Sequence, residues 1–397
     1  MQRFYFVILL VVVTLYGSPY TFATHPEGYY SEPAPVPAPA YPEGYYPESA
    51  PVPAPAYASA PHVGLLLPLD SPSFGAAAQM VKEGFVTAAK RESALPLTVR
   101  IYATTDDPLD ILITYHRAVD AGAVLIVGPL TRNGVTAVAT SHVVPVPTLA
   151  LNSTDVPMLL PPNLYLFGMQ METEASHAAE LALATHDMFK KHAIIIKDAG
   201  ALSLRLQNAF ADRWLAEYGN TAESVEYEEE QGFFSRLRKH TGGQQNVVFL
   251  ALDANKSRRI RNYLDPETPV YATSQVFISE SDSLFNHDLN GVYFMDMPWL
   301  LQPDHPAVMA YDNIEQKKDK DTTRLFALGI DAFRLMSHML YARSPYEISF
   351  DGVTGRIQFE SPALFIRKPL AAQFDKGGIR LLKSKETQGI LENQYAE

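Results

Sequence analysis

From residue 62 onward the chain alternates short apolar runs with longer amphipathic stretches, and this alternation restricts its fold more than any other feature. HVGLLLPL (62–69) is an unbroken apolar run, the composition of a strand covered on both faces. After the loop DSPSFG comes AAAQMVKEGFVTAAKRE (76–92), where Ala77, Met80, Val81, Gly84, Phe85 and Ala88 share one helical face. The pattern repeats with strands at 95–104, 123–130 and 146–152 and helices at 108–122 and 132–142. A second series puts helices at 171–187, 202–219 and 254–265 and strands at 192–198, 246–253 and 269–276. Residues 291–300 read as a further strand, and 324–342 as the clearest helix, with Leu325, Leu328, Ala332, Leu335 and Met339 on one stripe. GVTGRIQFE (352–360) and short strands follow. Strands separated by helices of ten or more residues are βαβ units, which build parallel sheets. Two such series predict an α/β chain of two doubly wound parallel-sheet lobes with interleaved chain crossings. The expected division is residues 62–170 and 290–345 in the first lobe and 171–289 and 346–385 in the second.

The first 61 residues have a different character. Residues 4–16 are apolar behind Arg3, the segment then turns polar, and Thr21 and Ala23 are small residues at the −3 and −1 positions of a cleavage after Ala23. Residues 1–23 are therefore read as an export signal. The rival reading is an uncleaved membrane anchor, because residues 4–23 carry no charge and are about as long as a membrane span. Either way the bulk of the chain lies outside the cytoplasm. Residues 24–61 contain one sixteen-residue unit written twice, PEGYYSEPAPVPAPAY and PEGYYPESAPVPAPAY. Proline at alternate positions fixes φ and removes N–H donors, which excludes a helix and a central strand. An extended polyproline-type linker remains, with an upper reach of roughly 120 Å at about 3.1 Å per residue. Its tyrosine pairs, Tyr29-Tyr30 and Tyr45-Tyr46, are the features by which it would contact a groove or the cell wall.

Charge and cysteine content remove several functions. The formal net charge is −12, of which Arg3 and four glutamates in residues 1–61 account for −3, leaving about −9 for the rest. No basic footprint for nucleic acid is visible. The run KKDKDTTR (317–324) alternates in sign and is read as a solvated loop or helix start. There is no cysteine, so thiol catalysis, disulfides, CxxC zinc sites and a lipid-bearing cysteine are all excluded. No GxSxG, Walker loop, GxGxxG or HExxH occurs. The pair His186 and His192 straddles a helix-to-strand junction and is read as surface. No cofactor or metal is expected. Asp70, Asp106, Asp107 and Asp198 sit at strand ends, where they are read as caps and turn formers rather than as catalysts.

The first β-loop-α unit, followed in order by VLIVGPLTRNGVTAVA, PTLALNST, NLYLFGMQMETEASHAAELA, YATSQVF and FDGVTGRIQFE, resembles the type I periplasmic-binding-protein fold. More narrowly, VGPLTRNGV, VPTLALN and NLYLFGMQMETEA resemble the C-terminal domain of the activators of class A penicillin-binding proteins, envelope lipoproteins of Gram-negative bacteria. The resemblance covers residues 62 to about 385. It implies a non-enzymatic periplasmic protein that binds a peptidoglycan synthase and raises its activity, with peptidoglycan or a small ligand as further partners. The Pro-rich stretch stands where longer members carry a helical-repeat domain. The alternative is an extracytoplasmic receptor for an amino acid or similar small molecule. In this fold such a ligand lies between the lobes, at the carboxyl ends of the strands, where helix N-termini offer N–H donors. The candidates there are Ser71, Ser73, Thr131, Asn152, Ser153 and Thr154, each of which has an equally ordinary use as a cap or turn residue.

Overall fold

The computed structural model describes residues 60–382, except 93–96, 186–191, 219, 244, 279–282, 312–319 and 361. The expected signal or anchor segment, residues 24–59 of the Pro-rich linker and His186 lie outside these residues.

The first lobe opens with strands β1 (His62–Leu67), β2 (Thr98–Ala103), β3 (Ala123–Val127), β4 (Thr148–Ala150) and β5 (Leu164–Leu166), connected through helices α1 (Gly75–Arg91), α2 (Pro108–Asp120) and α3 (Arg132–Thr140). The chain then enters the second lobe through α4 (Met171–Thr185), β6 (His192–Lys197), α5 (Ala201–Tyr218), β7 (Glu223–Glu226), α6 (Gln231–Thr241), β8 (Asn246–Ala251), α7 (Ala254–Arg261) and β9 (Val270–Ala272). Short helices α8 (Ser283–His287), α9 (Pro298–Leu301) and α10 (Pro306–Met309) flank or follow β10 (Val292–Asp296). The long α11 (Lys320–Tyr341) leads to β11 (Ser349–Asp351), β12 (Arg356–Glu360), β13 (Leu364–Lys368), β14 (Leu370–Asp375) and β15 (Gly378–Leu381).

The eight-stranded sheet runs β11-β12-β13-β5-β4-β3-β1-β2, and the seven-stranded sheet runs β15-β14-β10-β9-β8-β6-β7. Strands linked through helices pair in parallel, as a crossover connection requires, while β11–β12–β13 and β14–β15 add antiparallel edges. The α/β reading therefore holds, with the parallel part of each sheet extended by antiparallel strands. Beyond residue 289 the expected division holds for α11, which packs on α1, and for β14–β15 in the second sheet, but fails for β10 and for β11–β13. β10 pairs with β9 in the second sheet, and β11–β13 join β5 in the first. An apolar run such as VYFMD suits either sheet, and only pairing decides which one it enters. The chain thus crosses between lobes after β5, after β10 and between β13 and β14.

Helix α11 covers the first sheet by packing on α1 without space for side chains at the crossing. A Cβ built on Gly84 would lie 1.9 Å from Phe326 O, and one on Gly329 would lie 2.0 Å from Val81 O. The two backbones touch, and Phe85 meets Phe333 edge-on at 5.2 Å between ring centres. The middle of α11 is tied by Asp331. Its fully buried carboxylate accepts from Val353 N at 3.0 Å, Thr354 N at 2.7 Å and Thr354 Oγ1 at 2.6 Å, fixing the turn that precedes β12. Val353 O in turn accepts from Trp299 N at 3.0 Å, joining that turn to the segment after β10.

Replacing Gly84 or Gly329 with alanine forces two helix backbones apart. Each should cost about 1–3 kcal/mol and lower Tm by roughly 3–8 °C in a thermal melt. Gly378→Ala, whose Cβ would sit 3.5 Å from its nearest neighbour, should leave Tm within about 1–2 °C.

Candidate functional site

The carboxyl ends of β1, β3 and β4 open on a pocket of about 500 Å³ in the first lobe. Phe74 and Ala77 line it where α1 begins, Leu130 and Thr131 after β3, Leu151 and Asn152 after β4, and Leu325 and Leu328 from α11. Helix α3 starts at this wall. Its cap, Thr131, accepts Val135 N on its carbonyl at 2.9 Å, but its hydroxyl caps nothing and is buried without a partner among the described residues. Two of the six expected residues, Thr131 and Asn152, therefore line the pocket. The Asn152 amide is already engaged: Nδ2 donates to Leu130 O at 3.0 Å and Oδ1 accepts from Ser153 N at 2.9 Å. Ser71 accepts from Ser73 N and Phe74 N and shapes the turn into α1, while Ser73 is exposed. Ser153 lies outside the pocket wall, and Thr154 Oγ1 donates to Val156 O at 2.7 Å.

The residue that sequence reasoning missed is Arg132, the first residue of α3. Its guanidinium donates to Glu172 Oε1 at 3.1 Å and to Thr154 O at 3.0 Å. Glu172 opens α4 in the second lobe and also accepts from Arg205 Nε at 2.7 Å. Burial works against the charge on Glu172, yet its own backbone N–H and the two arginines outweigh burial and hold its carboxyl below the usual range. The cation at the pocket rim is thus already held across the lobes by a protein carboxylate. A basic residue at a helix start carries no sequence signal of this, because the partner is 40 positions away.

Deeper between the lobes is a second set of ions. Arg367 of β13 meets Glu174 of α4 at 2.5 Å, with side chains 5% and 3% exposed. Glu174 Oε2 accepts Ser274 N at 3.0 Å, and Ser274 O accepts from Arg324 at 3.0 Å. Arg324, in the first turns of α11, meets Asp296 at the end of β10 through Nε and Nη2, the shortest contact being 2.6 Å. Burial opposes the charge on Arg324, and the Asp296 carboxylate against it outweighs that and raises its pKa. Lys320 to Arg324 thus begin a helix as read from sequence, but Arg324 is buried rather than solvated. All three crossings between lobes enter this network: α4 follows the first, Asp296 and Arg324 flank the second, and Arg367 precedes the third.

Residues 56–377 match the family described as "LppC putative lipoprotein". The chain belongs to that family. Curated relatives include the penicillin-binding protein activator LpoA of Pectobacterium parmentieri, 26% identical over 73% of this chain and 48% of the relative, and that of Glaesserella parasuis, 27% identical over 74% and 50%. This LppC-family chain spans about half the length of the curated relatives it matches. Among solved structures, a "putative branched-chain amino acid ABC transporter" from Chromobacterium violaceum is 35% identical, with TM-score 0.67, covering 79% of this chain and 99% of its own. The C-domain of LpoA from Haemophilus influenzae, described as a regulator of PBP1A, is 21% identical with TM-score 0.69, covering 81% of this chain and all of its own, a likeness of fold.

In this LppC-family chain the strand-end aspartates act in local structure. Asp107 caps α2, accepting from Leu109 N at 2.8 Å and Asp110 N at 3.1 Å. Asp198 accepts from Gly200 N at 2.8 Å and pairs with Lys256 at 2.5 Å, all within the second lobe. Asp70 and Asp106 use backbone groups, Asp70 N on Thr104 O and Asp106 O for Asn133 Nδ2. Among the described residues no group of three acids or histidines is placed to hold a metal ion, and no helix is long and apolar enough to cross a membrane.

His177 of α4 offers a pH test of the region between the lobes. Burial, reinforced by Arg367, Lys368 and Arg213, lowers its pKa from 6.5 to about 4. The unfolded chain binds that proton more readily than the folded chain. Stability should therefore be lost as pH falls from 6.5 towards 4 and level off below, a component of about 3 kcal/mol. Denaturant unfolding across this range should show a shallower decline for His177→Gln than for the parent. Parallel curves would mean that His177 titrates normally.

Proposed function

We infer that this protein is a non-enzymatic envelope protein that binds a class A penicillin-binding protein and raises its peptidoglycan synthase activity. The observation that carries this is the family match across residues 56–377 together with curated relatives named as penicillin-binding protein activators. The physical arrangement supports it. The acids and bases nearest the cleft are paired with one another, leaving no poised nucleophile or general base among the groups described above. A protein without chemistry of its own changes a reaction by binding one state of the enzyme more tightly than another. A coupling of the usual size is worth about 5- to 150-fold.

The site of action in this reading is the periplasm, reached by way of residues 1–23 as a cleaved signal or a retained anchor. Residues 24–61 act as a tether that lets the folded body search a shell of roughly 120 Å at most. Peptidoglycan is a further binding partner within that shell, and nucleic acid is not.

A second reading, a receptor for an amino acid or similar solute, is favoured by the 500 Å³ pocket and by the 35% identity to the Chromobacterium violaceum structure. There the α3 N-terminus, the free Thr131 hydroxyl and Asn152 would receive a carboxylate, with Ser71, Ser73, Ser153 and Thr154 shaping the loops around it.

Purified chain added to a purified class A penicillin-binding protein should bind it and raise its rate of glycan polymerisation about fivefold or more, read as lipid-linked precursor consumed over time. An unchanged rate with no detectable complex contradicts the activator reading. A rise in Tm of several degrees with a single amino acid would favour the receptor, since a ligand specific for the native state stabilises it by mass action.

A further inference from the structure

The second sheet ends at β7, whose one strand neighbour among the described residues is β6. Tyr227 N, just past the strand, donates to Lys197 O at 2.7 Å. Backbone direction alternates along a strand, so Glu223 and Val225 face β6 in the same way. The N–H and C=O groups of Ser224 and Glu226 therefore point away from the sheet, and both residues are exposed.

Beside this open edge lies a groove of about 630 Å³ between β7 and α6, floored by Val225, Phe233 and Leu237. Its rim is charged, but most of the charge is matched. Arg236 pairs with Glu228 at 3.1 Å and His240 with Glu223 at 2.9 Å. Lys239 is the one cation of the groove with no acidic partner among the described residues.

We propose that the β7 edge receives an extended segment of a partner protein as an added strand, which places an apolar side chain in the groove and a carboxylate near Lys239. A row of outward backbone groups repeating every second residue is matched in spacing by another extended backbone and not by a compact small molecule. A side chain on the face shared with Val225 would pass from such a strand into the groove, because side chains alternate between faces. A second copy of this chain is a poor occupant. Outward residues can only face outward residues, so antiparallel self-pairing sets Ser224 opposite Glu226 and leaves the two Glu226 carboxylates diagonal to one another on one face, where like charges weaken the pair. Acids on an edge strand can also serve to prevent such pairing, but that purpose does not require an apolar-floored groove alongside.

The probe is an array of acetylated nine-residue peptides with alternating polar and apolar positions and one glutamate moved through the sequence, read with the labelled full chain. Peptides with glutamate at one register should bind saturably by fluorescence anisotropy. Ser224→Pro removes an outward N–H without touching the β6 pairing, and should weaken binding about tenfold with Tm unchanged. Lys239→Glu should weaken it about threefold and recover when the peptide glutamate becomes lysine. If Ser224→Pro does not fold, peptides N-methylated at alternate residues serve instead, and they should fail to bind the parent chain. The proposal is overturned if no peptide binds, or if binding survives Ser224→Pro or N-methylation. It is equally overturned if the parent chain self-associates in sedimentation and Ser224→Pro abolishes that, since the edge would then belong to a second copy. Binding of synthase plays no part in the readout, so the outcome is independent of the activator reading.

Discussion

The buried pairs Arg367–Glu174 and Arg324–Asp296 are the constraint on which the two-lobed arrangement depends. Burying four charges costs several kcal/mol per ion unless each meets its counter-charge and fills its remaining hydrogen-bonding positions. The Ser274 backbone takes part in both pairs, giving its N–H to Glu174 and its carbonyl to Arg324, while Phe277 O accepts from Arg324 at 2.8 Å. These partners come from different lobes, so the ions are satisfied only while the lobes keep one mutual position. Such a network is not a source of net stability, since apolar replacement of buried ion pairs is often neutral or favourable. What it does is select a single arrangement of the three crossings.

The character of the cleft follows from that selection. With α4 held by Glu174, its first turn brings Glu172 to Arg132, and the rim cation is neutralised from the opposite lobe. With α11 held by Arg324 near its start and by Asp331 at its middle, Leu325 and Leu328 become part of the pocket wall. The glycine crossing of α1 and α11 sets how near that wall stands to the first sheet. The pocket described above is therefore built by the first lobe, and the second lobe's nearest carboxylate, Glu172, is already engaged. This is the composition of a two-lobed body whose outer surface is available to a protein partner while its cleft is largely self-satisfied.

Local features were readable in the sequence because their causes are local. The buried strands at 62–67 and 246–251 announce themselves as apolar runs, and Asp107 before Pro108 is a cap legible from three residues. The order of strands and helices, and hence the fold class, follows from the same signals. The placement of β10 in the second sheet and of β11–β13 in the first was not readable, because an apolar run does not encode its neighbour. β7 and α6 were not recognised: ESVE is a four-residue edge strand with half its side chains in water, and QGFFSRLRKHT is strongly basic and short. Of the six polar residues expected at the cleft, Thr131 and Asn152 line it, while Ser71 and Thr154 serve turns. Arg132, Glu172 and the hinge ions depend on contacts 28 to 193 positions apart and left no mark on the local pattern.

The central claim is that the buried ions hold the lobes in one arrangement. Because the chain has no cysteine, spin labels can be placed at will on Leu109→Cys in the first lobe and Ala199→Cys in the second, both exposed at the cleft end of their sheets. Double electron–electron resonance should return one narrow distance distribution that does not change with millimolar leucine, and a broadened one in Arg367→Met, where Glu174 is left without its partner. Two distances in the intact chain, or a shift on adding the amino acid, would show that the hinge moves and would contradict the account.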